Sequence, residues 1–367
     1  MALKREHCSI KAVATVLIGI LLLSTVDIVH AQMQVTAKGD EYSLYYGFER
    51  YGIIGSYPET WTNDIVYDHN NNRIILTDHT FSSIPINRWT VQIYDTEGRL
   101  LNQIEVPLDP RSSVEYDHFN NRIIVGGVAH RDQNNNIRSS VYVYDGTNYN
   151  LRAVYPTPGS YDLIFDVAYD TARGKILVAL LSYDQSGRHL QISMIDDAGN
   201  FAHIINFDDC IGNGGLLGYL SNISVKPIGL IYDSKNNRIF VFCNFEDAQN
   251  NEIGRIYVMR YDEQQNTYTI TAGPFDVRTN IAAEGIGLAY DRNRDRLIVA
   301  GLEGGRFGRI IGAFDARSDT IDTQNPLFTI EFISFGGVSR NIGPYFKVSS
   351  KITYDNNHDR IIAADVG

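Results

Sequence analysis

Six stretches of this chain repeat one phrase: IVYDHNNNRIIL at 65–76, VEYDHFNNRIIV at 114–125, VAYDTARGKILV at 167–178, LIYDSKNNRIFV at 230–241, LAYDRNRDRLIV at 288–299 and ITYDNNHDRIIA at 352–363. Their tyrosines, Tyr67, Tyr116, Tyr169, Tyr232, Tyr290 and Tyr354, recur at intervals of 49 to 64 residues. Self-similarity at that period marks a repeat architecture, and β-rich units of that size build propellers. In each phrase an apolar strand ends in Tyr-Asp, crosses a polar tetrapeptide and resumes at Arg or Lys into a second strand rich in Ile and Val, which is a β-hairpin. The Asp can bond backbone amides across the bend, and Asn, Asp and Gly tolerate the turn conformation. Arg73, five residues on, can face Asp68 across the hairpin mouth, as Arg122, Lys175, Arg238, Arg296 and Arg360 can their own aspartates. Read as exposed pairs, these are worth roughly 0 to 1 kcal/mol each. A feature present in every unit cannot mark one special site, so the Asp and Arg columns read as structural.

Five units carry a second hairpin, at 90–106, 140–156, 190–207, 255–275 and 309–332. Two hairpins make a four-stranded blade. The sixth unit, from Lys351 to Gly367, has room for two strands only. The segment SLYYGFERYGIIGSYP at 43–58 matches VYVYDGTNYNLRAVYP at 141–156 in its aromatic spacing and its closing Tyr-Pro. The expectation is an all-β fold: a six-bladed β-propeller of four-stranded antiparallel blades, its ring closed by 43–58 pairing with the last blade and covering an open edge.

This two-hairpin grammar, with LTD ending at Asp78 and AAD ending at Asp365, resembles the NHL-type six-bladed propellers. That resemblance implies a central channel with ligands met at one face. It implies no reaction, since one architecture hosts many functions.

Residues 1–31 join a basic start (Lys4, Arg5, Lys11) to an apolar stretch and the small-residue ending Val29-His30-Ala31, the pattern of a signal peptide cut before Gln32. Residues 32–367 then form a single propeller domain, secreted to an extracellular or periplasmic compartment, with no membrane association once the leader is removed. The whole chain carries a formal charge of −11. An acidic surface repels phosphate backbones and anionic lipid, so nucleic acid and membrane surfaces are not expected partners. Cys210 and Cys243 remain after processing and are expected to pair as a disulfide in an oxidising compartment. Asn222-Ile223-Ser224 is a glycosylation acceptor pattern.

Connections between hairpins and between blades share one face, the hairpin turns the other. On the first face the segments 80–88, 208–228, 278–286 and 335–350 are long and individual, which is where binding usually sits. At that face the inner strands begin with Asp64, Ser113, Asp166, Gly229, Gly287 and Lys351. The second strands end at Asp78, Gly127, Leu180, Cys243, Gly301 and Asp365. Two readings follow. In the first, the propeller is a ligand-, glycan- or protein-binding module whose contacts include Trp61, Asp64, Tyr183, Glu284 and Tyr345. In the alternative, it is a metal-dependent hydrolase, lactonase or lyase in which Asp64, Asp78, Glu284 and Asp365 hold one Ca²⁺ or Zn²⁺ and His79 or His130 carries protons. The binding reading is preferred, because zinc sites gather His or Cys and the histidines here are scattered, with His69, His118 and His358 in hairpin turns of the opposite face.

Overall fold

The computed structural model describes residues 60–80, 88–107, 113–131, 137–159, 162–184, 187–196, 198–207, 210, 228–246, 252–277, 284–302, 308–333 and 351–364. Blade 1 consists of β1 (Thr60–Asp68), β2 (Arg73–Thr80), β3 (Arg88–Asp95) and β4 (Leu100–Val106). Blade 2 follows with β5 (Ser113–Asp117), β6 (Arg122–Arg131), β7 (Ile137–Asp145) and β8 (Leu151–Pro156). Blade 3 has β9 (Leu163–Asp170), β10 (Lys175–Asp184), β11 (Gly187–Ile195) and β12 (Phe201–Asn206). Blade 4 has β13 (Ile228–Asp233), β14 (Arg238–Glu246), β15 (Glu252–Asp262) and β16 (Thr267–Val277). Blade 5 has β17 (Glu284–Asp291), β18 (Arg296–Leu302), β19 (Gly308–Asp315) and β20 (Phe328–Ile333). Each is an antiparallel meander whose strands pair in chain order.

The sixth repeat differs from the six equal blades expected. Its described part is a two-stranded sheet, β21 (Lys351–Asp355) with β22 (Arg360–Ala364), so the described residues hold five four-stranded blades and one strand pair. Residues 43–58, read as the missing strands, lie outside the described residues, as does the leader 1–31. β21 packs beside β17 on one side and β1 on the other. The first strands of all six repeats are thus successive neighbours, each touching the next.

The turn chemistry is the same six times over. In the first repeat, Asp68 Oδ1 accepts the amides of Asn70 and Asn71, both at 3.0 Å, while Oδ2 accepts Arg73 Nε at 2.9 Å. Asp117, Asp170, Asp233, Asp291 and Asp355 hold their own turn amides in the same way at 2.9 to 3.1 Å. The last turn residue is left-handed: Asn72, Asn121, Asn237, Asp295 and Asp359 have φ between 51° and 58°, and blade 3 uses Gly174 at φ 70°. Only glycine, or asparagine and aspartate with their short polar side chains, visits this region readily. In the five repeats other than blade 3 the repeat tyrosine then donates to that residue, as Tyr116 does to Asn121 at 2.7 Å and Tyr290 to Asp295 at 2.7 Å.

One expectation needs correction. The Asp–Arg pairs are not exposed: Asp68 and Asp233 are fully buried, with Arg73 at 7% and Arg238 at 1% exposure. Arg238 reaches past Asp233 to Asp319 Oδ1 and the Ser318 carbonyl, at 2.8 and 2.6 Å. Neighbouring blades cover the turn side chains, so these pairs are interior ion pairs whose partners depend on each other. In blades 3 and 5, Asp170 and Asp291 also pair with Arg173 and Arg294 from within the turn.

The core lies between blades, one apolar cluster per junction. Ile93, Val91 and Tyr116 fill the junction of blades 1 and 2, and Ile124, Val143 and Ile164 that of blades 2 and 3. Leu177, Leu190, Val241 and Met259 lie between blades 3 and 4, and Phe240, Phe242, Leu297 and Phe314 between blades 4 and 5. Ile298 and Ala313 of blade 5 pack on Ile352 and Tyr354, and Ile362 packs on the Ile65–Tyr67 cluster of blade 1. Burial of apolar side chains in these junctions supplies the dominant stabilisation.

Candidate functional site

The six inner strands surround a cavity of about 120 Å³, roomy enough for several waters. Its wall carries Asp64, Glu115 and Asp166 near the end that bears the long connections, and His69, His118 and Arg292 at the end that bears the turns. Between them run Ile65, Val114, Val167, Leu230, Leu288 and Ile352.

At the acidic end Ser113 lies between two carboxylates. Its Oγ is 2.6 Å from Asp64 Oδ2 and 2.5 Å from Asp166 Oδ1. The same carboxylates tie blades together through the main chain: Asp64 Oδ2 accepts the Val114 amide of blade 2 at 3.0 Å, and Asp166 Oδ2 accepts the Leu230 amide of blade 4 at 2.7 Å. Val167 N donates to Ser113 Oγ at 3.3 Å. Asp64, Ser113 and Asp166 therefore link four consecutive repeats around the channel.

Glu115 stands next to this cluster and lines the channel. Burial, reinforced by the charges of Asp166, Asp64 and Asp117, pushes its carboxyl up to about 8, against a bond from the Tyr116 amide at 2.8 Å. This shift favours the protonated carboxyl near neutral pH. The reading of the sequence missed Glu115. The signal was present: the column Val66, Glu115, Ala168, Ile231, Ala289, Thr353 holds a single charged residue.

The expected site residues divide by position. Asp64 is in the channel, joined to Ser113 and Asp166. Trp61 and His79 are cross-strand partners in blade 1, and Thr62 pairs with Asp78, so these residues share one end of β1–β2. His130 pairs with Arg138 at the same end of blade 2, Tyr183 with Arg188 in blade 3, and Glu284 with Leu302 in blade 5. The side chains of Trp61, Asp78, His79, His130, Tyr183 and Glu284, and the whole of Tyr345 and Asp365, lie outside the described residues. Among the described residues no group of three or more His, Cys, Asp or Glu side chains is disposed to hold a metal ion.

Cys210 and Cys243 form a disulfide, with Cα atoms 5.8 Å apart. It fastens the segment after blade 3 to the end of β14, and both half-cystines are buried in the junction of blades 3 and 4. Disulfides of this kind belong to oxidising compartments. Among the described residues no helix is long and apolar enough to cross a membrane.

No protein-family model matches the chain, and no curated protein matches it in sequence. Solved structures resemble it in shape. The β-propeller domain of the Trilobed protease from Pyrococcus furiosus is 10% identical with a TM-score of 0.42, covering 80% of this chain and 76% of that one. Kuenenia stuttgartiensis hydrazine synthase is 9% identical with a TM-score of 0.47, covering 87% and 100%. A Synechocystis apocarotenoid oxygenase variant is 12% identical with a TM-score of 0.43, covering 78% and 64%. At these identities the likeness concerns the fold alone. The strand order and blade packing described above establish a β-propeller of four-stranded antiparallel blades without them.

Proposed function

We propose that residues 32–367 form a secreted or periplasmic propeller of six NHL-like repeats, whose ring is completed by 43–58 pairing with β22, and that it is a binding module. Its ligand is a protein or a glycan, met at the end of the long connections through Trp61, Tyr183, Glu284 and Tyr345. The observation that carries this reading is an asymmetry between the two ends. Every inner turn repeats one chemistry, whereas Asn206 to Ile228, Val277 to Glu284 and Ile333 to Lys351 differ in length and composition, and variable connections on a rigid scaffold are where recognition concentrates. The engagement of Asp64 and Asp166 by Ser113 and by main-chain amides also favours binding over channel chemistry. Glycan arrays and binding assays with candidate partners, run on mature protein and on Trp61→Ala and Tyr345→Ala, test the reading. Lost binding with an unchanged melt supports it. Turnover of a lactone or ester that disappears in Asp64→Ala or Glu284→Ala would replace it with the channel enzyme.

A further inference from the structure

The six inner turns are alike except at one position. The residue after the repeat aspartate is His69, His118, Thr171, Ser234, Arg292 or Asn356, different between most blades, and all six line the channel at its turn end. Each carries a hydrogen-bond donor, and none is a carboxylate, in a chain of net charge −11. A variable column inside a uniform turn is not required by the turn.

Arg292 decides the character of this ring. It is half-buried and pairs with no acid among the described residues, whereas turn arginines Arg73, Arg122, Arg173, Arg238, Arg294 and Arg360 all do. The nearby carboxylates are already engaged: Asp68 by Arg73, Asp117 by Arg122, Asp355 by Arg360 and His358, each also by turn amides. Asn356 Nδ2 lies 3.2 Å from His69 Nε2. With that amide donating, the His69 proton sits on Nδ1, which is buried and meets no protein partner, as is Asn356 Oδ1. Phe119 stacks on the His118 ring at the rim, with centroids 4.7 Å apart, and is 70% exposed.

We propose that the turn end of the channel is a binding site for a small oxyanion, a phosphate or carboxylate group, held by the Arg292 guanidinium between the imidazoles of His69 and His118. An arginine fork gives two parallel charge-assisted bonds to such a group, and flanking N–H and O–H donors complete its shell. Burial, and after it Arg292, holds both imidazoles below their ordinary value, His69 at about 4, and a bound anion opposes that by favouring their protonated forms. The site lies opposite the long connections and does not depend on what binds there.

Calorimetric titration of the mature protein with inorganic phosphate, and separately with citrate, tests the proposal, alongside Arg292→Gln and His118→Gln. The expected result is saturable binding of at least one of the two anions, weakened tenfold or more in Arg292→Gln, with His69 and His118 ring resonances shifting on addition of the ligand. Phosphate alone or citrate alone identifies the group the site takes. Should Arg292→Gln fail to fold, His118→Gln at the rim carries the same expectation. No saturable binding of either anion by the wild type at millimolar concentration, or undiminished affinity in the folded variants, overturns it.

Discussion

Ser113 Oγ sits 2.5 Å from Asp166 Oδ1 and bonds blade 2 to blade 3 at the wall of the channel. Asp64 approaches the same oxygen from blade 1 at 2.6 Å. Removing the hydroxyl leaves two interior carboxylates without their shared partner. Ser113→Ala is expected to cost about 1 to 3 kcal/mol of stability, the price of an unsatisfied buried polar group. Urea unfolding followed by tryptophan fluorescence measures it, and a loss no greater than that of an exposed Ser→Ala control would refute the linking role.

Glu115 should make stability depend on pH. Its carboxyl ordinarily titrates near 4.5 and in the fold is pushed up to about 8. Between those values the native state keeps a proton that the unfolded chain has lost, so stability falls as pH rises through this window and levels off above about 8. The slope for one proton is about 1.4 kcal/mol per pH unit. Glu115→Gln should be more stable than wild type at pH 9, and the difference should shrink towards pH 5. Parallel melts across that range decide it.

Breaking the interior ion pair of blade 4 should be severe. Arg238 is 1% exposed and satisfies Asp233, Asp319 and two carbonyls of the 316–318 segment. Arg238→Ala strands a buried Asp233, and about 3 to 5 kcal/mol should be lost. An exposed pair such as Arg99–Asp95 serves as the contrast, and Arg99→Ala should be close to neutral.

The left-handed turn position discriminates residue types. Asn237 has φ 51° and accepts from Tyr232 at 2.8 Å. Asn237→Gly should be tolerated, while Asn237→Ala should lose about 1 to 2 kcal/mol, because alanine keeps the Cβ in that region but lacks the short polar side chain that offsets its cost. Gly174→Ala in blade 3 should lose a similar amount because it introduces a Cβ at φ 70°, and chemical denaturation of the three variants orders them.

The disulfide closes a separation of 33 residues. In the loop-entropy view its removal by Cys210→Ala/Cys243→Ala costs about 3 to 4 kcal/mol. Thiol labelling of the native wild type before reduction should be absent, and full labelling would deny the bond.

Much of this was legible in the chain itself. The phrase around Tyr67 and its five equivalents specifies strand, turn and strand through local chemistry: the Asp that gathers amides, the Asn, Asp or Gly that turns left-handed, and the apolar run on either side. The Cys210–Cys243 pairing followed from two cysteines placed near one end of blade 4. The burial of Arg73 and Arg238 was not legible, because a turn read alone is a surface feature, and only the neighbouring blade covers it. Glu115 was hidden for the same reason, its surroundings being carboxylates from blades 1 and 3.

The amino-acid sequence by itself determined the repeat, its hairpins, its turn conformations and the all-β class, since these depend on contacts within a few residues. The tertiary structure alone decided what equal positions in different repeats do together. Curvature of the ring brings one column to a common axis, so residues 49 or more apart in the chain share a channel wall. Charge and burial there depend on all the neighbouring strands at once. That is why His69, His118 and Arg292, ordinary turn residues in the chain, meet around one cavity.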